Sequence, residues 1–174
     1  MPLIFGKRVH DTLNKQIAEE LVCSYTFLSM SNIFADMGLG GCSKWAAVQV
    51  KEHLERAMRI YNHMRSRNGK VKFLQIQPPK QDWRAPLHIF EEIVKIEQKV
   101  SSSITTLYEF AVGDKDYQSQ TLLMWFVEDQ MKREAFSEEL LNRFRKMQST
   151  DLGVFIFDEE MERRVPKECS EGVK

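Results

Sequence analysis

Six polar side chains interrupt faces that are otherwise apolar at helical spacing. Glu20 lies three residues after Ile17 and seven before Phe27, and Glu97 lies three after Val94 and three before Val100. His53 falls between Val50 and Ala57, and Arg56, three residues on, shares its face. Gln130 is four residues after Phe126, and Arg133 is seven after it. Two separate stretches thus bring one carboxylate each, a third brings an imidazole and a guanidinium, and a fourth brings an amide and a guanidinium. Burying an isolated charge costs several kcal/mol unless it is paired or bound to metal. Two chemistries satisfy that demand. Glu20, His53, Glu97 and Gln130 can converge as oxygen and nitrogen ligands on a metal such as iron. Alternatively, Arg56 and Arg133 can neutralise Glu20 and Glu97 in buried ion pairs, with no metal at all.

Long helices must position these groups, because glycine and proline are sparse and clustered. A first stretch runs from about Gly6 to Met37 and meets Gly38, Gly40 and Gly41 as a stop signal. Ser43 is placed as the N-cap of a second, which reaches about Asn68 and closes at Gly69. Lys70 to Ala85, with Pro78 and Pro79, reads as one extended crossover. Pro86 opens a third helix that continues to Val112 and ends at Gly113. The fourth begins near Asp116 or Tyr117 and ends near Met147, and Leu152 to Arg164 forms a short fifth. Each long stretch carries an apolar stripe, for example Leu13, Ile17, Phe27 and Phe34, or Phe90, Val100, Ile104 and Leu107. The pattern predicts an all-α chain: a four-helix bundle domain over residues 1–165 with a long crossover between helices 2 and 3, then a flexible tail over 166–174.

Composition narrows the function classes. Lys plus Arg and Asp plus Glu are both 25, giving a formal net charge of zero. That balance argues against a general nucleic-acid or membrane-surface binder. No run approaches the roughly 18 apolar residues of a membrane span, and Met1 to Arg8 lacks the pattern of an export signal. Cys23, Cys42 and Cys169 form neither a metal-type pair nor an even disulfide set, which points to a reduced cytoplasm.

Several segments resemble the non-haem bacterial ferritins. Asn14 to Leu21, read with Met30-Ser31, is similar to the first-helix motif that carries an iron-binding glutamate, here Glu20. Pro86 to Phe90 with Ile96-Glu97-Gln98 resembles the third-helix motif, and Trp125 to Gln130 the fourth. Gly153 to Glu160 resembles the segment that opens the fifth helix. The likeness covers about Leu13 to Arg164. It implies the ferritin-like fold, a shell of twenty-four subunits, and storage of ferric iron as mineral. Haem is not expected, because Leu54 stands where haem-binding relatives carry a methionine. Rubrerythrin-like proteins need two Glu-x-x-His pairs, and this chain has none.

The pattern breaks where the family binds iron. Catalytic ferritins carry Glu-x-x-His on the second helix, and His53 and Arg56 stand at those positions. Arg133 occupies a place where bacterial ferritins often have another glutamate, and Phe27 replaces a tyrosine. A guanidinium is permanently cationic and has no lone pair to donate. The expectation is a chain of the ferroxidase family (Fe(II):oxygen oxidoreductases) whose own oxidation is weak or absent, with co-assembly beside a catalytic subunit as a further expectation. The alternatives are an active ferroxidase with an unusual site on Glu20, His53, Glu97 and Gln130, or a ferritin-like shell protein with no iron role. Glu52, Glu55 and Asp129 read as a solvated face, yet Glu52 matches a family position near the inner surface, and the group resembles the mineral-nucleating sites of non-catalytic light chains.

Overall fold

A computed structural model describes residues 5–166. The tail expected over 166–174 lies outside the described residues, apart from Pro166. Five helices and no strand occur among the described residues: α1 Lys7–Asp36, α2 Gly40–Ser66, α3 Pro86–Gly113, α4 Tyr117–Met147 and α5 Asp151–Arg163. None is long and apolar enough to cross a membrane. α1 packs chiefly on α2, and α3 on α4.

Local signals set most helix ends. Pro86 opens α3, where its missing N–H costs nothing. Asp116 accepts from Ser119 N at 3.1 Å to cap α4, and Thr150 Oγ1 accepts from Gly153 N at 3.0 Å to cap α5. One start differs from expectation. α2 begins at Gly40 rather than after Ser43, because the Asp158 carboxylate accepts from Gly41 N (3.0 Å) and Cys42 N (2.8 Å). A cap supplied by α5 therefore lets two glycines serve as a first turn. α2 ends at Ser66, close to the expected end near Asn68, and Asn68 takes the left-handed conformation (φ 53°). α3 ends at Gly113 as expected, and Lys115 in the turn after it is left-handed (φ 54°).

Residues 67–85 carry no regular structure and run the length of α1. His10 Nε2 meets Lys70 O at 2.8 Å, Lys72 N donates to Asn14 Oδ1 at 2.6 Å, and Ser29 Oγ donates to Lys80 O at 2.7 Å. The crossover thus delivers α3 to the end of the bundle where α1 finishes. There the Phe90 ring lies 5.4 Å from Phe34, 4.9 Å from Phe144 and 5.3 Å from Phe157. The apolar core divides into this cluster and a second built on Leu13, Ile17, Ile60, Ile104, Leu107 and Phe126. On α2, α3 and α4 the interrupting polar residues fall between the two, and on α1 Glu20 lies at the edge of the second cluster, between Ile17 and Cys23.

Candidate metal centre

All six polar residues singled out by spacing meet in that intermediate layer. Glu20 and His53 are fully buried, and Arg56, Glu97 and Gln130 are 2 to 3 % exposed. Glu20 Oε2 accepts from His53 Nδ1 at 2.8 Å and from Arg56 Nε at 3.0 Å, while its Oε1 accepts from Gln16 Nε2 at 3.1 Å. Burial alone would raise the Glu20 pKa. The His53 hydrogen bond and the Arg56 charge outweigh it and bring the value down to about 2. Glu20 is therefore ionised at neutral pH, and His53 must carry its proton on Nδ1 to donate.

Arg56 ties three helices together. Besides Glu20 on α1, its Nη1 pairs with Asp129 Oδ2 and its Nη2 donates to Gln130 Oε1 at 2.9 Å, both on α4. The guanidinium carbon sits 4.8 Å from the Phe126 ring and 5.9 Å from that of Trp125. Gln130 passes the network on, its Nε2 donating to Glu97 Oε2 at 2.7 Å and to the Glu97 carbonyl at 3.0 Å. Arg133 closes the layer: Nε donates to Asp129 Oδ2 at 3.1 Å, Nη1 to Gln49 Oε1 at 3.0 Å, and Nη2 pairs with Glu52 Oε2. Arg133 Nη1 also lies 3.8 Å from Glu97 Oε1. Burial would lower the Arg133 pKa, but Glu97, Glu52 and Asp129 hold it above the ordinary arginine value. Phe27 stacks on the His53 imidazole, 5.3 Å between centroids and 20° from parallel.

Every buried carboxylate in this layer has a cationic neighbour within 4 Å. His53 Nε2 is the exception among the polar atoms. It is buried without a hydrogen-bond partner, 3.9 Å from Glu97 Oε1. As the side chains stand, no three His, Cys, Asp or Glu residues among the described ones converge to hold a metal. Of the expected surface carboxylates, Glu52 and Asp129 join the network through Arg133, while Glu55 is exposed. Gln16 and Gln49 were missed by the spacing argument. Each lies four residues before a residue of the centre, Glu20 and His53 respectively, so the i,i+4 rule would have found both.

Comparison with known proteins agrees with this architecture. A family model described as a ferritin-like domain matches residues 10–147. A bacterial non-heme ferritin of Bacteroides fragilis is 27 % identical over 161 residues, covering 92 % of this chain and all of the relative. One from Campylobacter jejuni is 25 % identical over 156 residues, covering 90 % of this chain and 93 % of the relative. Among solved structures, an open pore ferritin from the archaeon Archaeoglobus fulgidus superposes with a TM-score of 0.90 at 30 % identity, covering 93 % of this chain and 99 % of the other. A closed form of that protein, engineered by site-directed mutagenesis, gives 0.88 at 31 % identity, with 92 % and 98 % covered.

Proposed function

The chain belongs to the ferritin family, and from that premise we propose that it is a subunit of an iron-storing cage whose oxidation centre is closed to a pair of iron ions. The observation that carries the proposal is Arg56, a buried guanidinium bonded at once to Glu20, Asp129 and Gln130. A two-iron centre needs several anionic donors around its ions. Here two fixed cations lie among those donors, and neither can coordinate. The donor set does not fit two metal ions, so no oxidation step is assigned to Glu20, His53, Glu97 or Gln130. Two guanidinium charges offset the carboxylates instead.

The cargo is non-haem iron, a reading supported by relatives that are non-heme ferritins. The extended match to ferritin structures supports self-assembly, for which we propose twenty-four copies. Ferric iron then comes from oxidation at a co-assembled catalytic subunit or from slow oxidation by dissolved oxygen. Glu52, Glu55 and Asp129 are the carboxylates proposed to meet the first mineral ions. Light scattering tests the assembly: a particle near twenty-four chain masses is expected, and a stable monomer or dimer at micromolar concentration contradicts the cage. Iron retained after aerobic loading and desalting supports storage. Its complete loss from an intact cage favours a shell with no iron role.

A further inference from the structure

At the end of the bundle away from Phe90, the close of α2 is tied to the start of α4 beside a histidine. Arg67, just past α2, directs Nη1 to Asp116 Oδ1 at 2.8 Å, Asp116 Oδ2 at 3.0 Å and Ser119 Oγ at 3.0 Å. The same carboxylate caps α4, accepting from Ser119 N at 3.1 Å and from Ser119 Oγ at 2.8 Å. Asp116 thus holds two elements at once. His63, on the last turn of α2, places Nε2 3.0 Å from Ser119 Oγ and 3.3 Å from Arg67 Nη1. A guanidinium accepts no hydrogen bond. The contact with Arg67 is therefore a bond while Nε2 keeps its lone pair, which means while His63 is neutral. Phe5 completes the joint: it is buried, 3.9 Å beneath the Arg67 guanidinium carbon and edge-on to His63 at 5.8 Å.

We propose that this cluster is an acid-sensitive clasp between α2 and α4, closed while His63 is neutral and opened when His63 takes a proton. Protonation turns Nε2 from acceptor to donor and sets a second cation beside Arg67. Imidazolium and guanidinium then compete for the carboxylate that caps α4. Among the described contacts, the charged groups facing His63 are Arg67 and Asp116. α4 presents the uncharged Ser119, and the N-terminal segment presents Phe5, whose ring also meets His10 of α1 at 6.2 Å. Burial lowers the His63 pKa below its ordinary 6.5, Arg67 pushes the same way, and Asp116 opposes them. The closed clasp thus refuses a proton that an opened His63 would bind. Its contribution is complete above pH 6.5 and is lost as the pH falls below that value. The clasp shares no residue with the polar layer, so it stands whether or not the oxidation centre is closed.

Amide hydrogen exchange read by mass spectrometry on the whole assembled protein tests the clasp, at about pH 7.5 and about pH 5.5, on either side of the ordinary histidine range. After correction for the intrinsic effect of pH on exchange, protection over residues 119–123 should fall at least about threefold at the lower pH. Residues 100–107, in the middle of α3, should keep theirs. In His63→Gln the amide can accept from Arg67 or donate to Ser119 and has no charge to gain, so protection over 119–123 should hold at both pH values. His10→Gln should respond as wild type does. Equal protection of wild type at the two pH values overturns the clasp, as does a fall that persists in His63→Gln or vanishes in His10→Gln. A fall of the same size over 100–107 is general unfolding and overturns it too. Should His63→Gln not assemble, exchange of the imidazole Cε1–H in wild type reports where His63 titrates. The loss over 119–123 must share that midpoint, and a loss that follows another histidine, or none, refutes the proposal.

Discussion

Removing the Arg56 side chain should destabilise the fold far more than removing an exposed arginine. Arg56 is 2 % exposed and its loss strands Glu20, which is fully buried, together with the amide of Gln130. The depression of the Glu20 pKa from 4.5 to about 2 corresponds to about 3 kcal/mol of preference for the ionised carboxylate, at 1.36 kcal/mol per unit. His53 supplies part of it, so Arg56 does not carry the whole. Breaking a buried pair by deleting one partner costs about 3–5 kcal/mol in general, and a cavity adds to this. For a chain of this size 1 kcal/mol moves Tm by about 2–4 °C, so Arg56→Ala should lower Tm by roughly 6–20 °C. Arg145→Ala, which breaks the half-exposed pair with Glu91 at 3.0 Å, is the control and should cost about 0–1 kcal/mol. The assay is thermal and denaturant unfolding of wild type and both variants at neutral pH, with the assembly state followed in parallel. Equal losses in the two variants would refute the reasoning and make Arg56 a solvated bystander.

Restoring the family pattern by His53→Glu with Arg56→His should reduce stability without metal, recover it on adding Zn(II) by mass action, and raise the Fe(II) oxidation rate. An unchanged melting curve with and without metal contradicts this. Acid titration should expose Glu20. Its folded pKa is depressed, so its stabilisation is complete above pH 4.5 and is lost between about 4.5 and about 2 as the pH falls. In Arg56→Ala the Glu20 pKa should be depressed less, so less stability should be lost across that window, and an unchanged pH dependence of stability would count against the pairing. Asp158→Ala removes the carboxylate that caps α2 from α5. It should cost about 1–2 kcal/mol and raise amide exchange across Gly40 to Cys42, whereas unchanged protection there argues against the cap.

How much of this was legible depended on whether the deciding contact was local. The long crossover and the four long helices followed from sparse glycine and proline and from stripes such as Phe90, Val100, Ile104 and Leu107, because burial obeys the helical period. The start of α2 was misplaced because Gly40 and Gly41 signal a stop on their own, and their cap comes from Asp158, more than a hundred residues away. The inward direction of Glu20, His53, Arg56, Glu97, Gln130 and Arg133 was equally visible, since periodicity reports direction. Partners were not. Asp129 looked like one of several solvated carboxylates, yet it accepts from both Arg56 and Arg133, which depends on the spacing between α2 and α4. No pattern along one helix encodes that spacing. The orphan Nε2 of His53 depended similarly on its ring orientation, held by Glu20 on one side and Phe27 on its face.

The central claim is that two guanidinium groups close this centre to paired iron, and stopped-flow mixing of the apo-cage with Fe(II) and dissolved oxygen tests it most directly. Oxidation little faster than in buffer is predicted, with no fast phase whose amplitude tracks the subunit concentration. A rapid phase that saturates at about two Fe(II) per subunit, the capacity of a di-iron centre, would contradict the account.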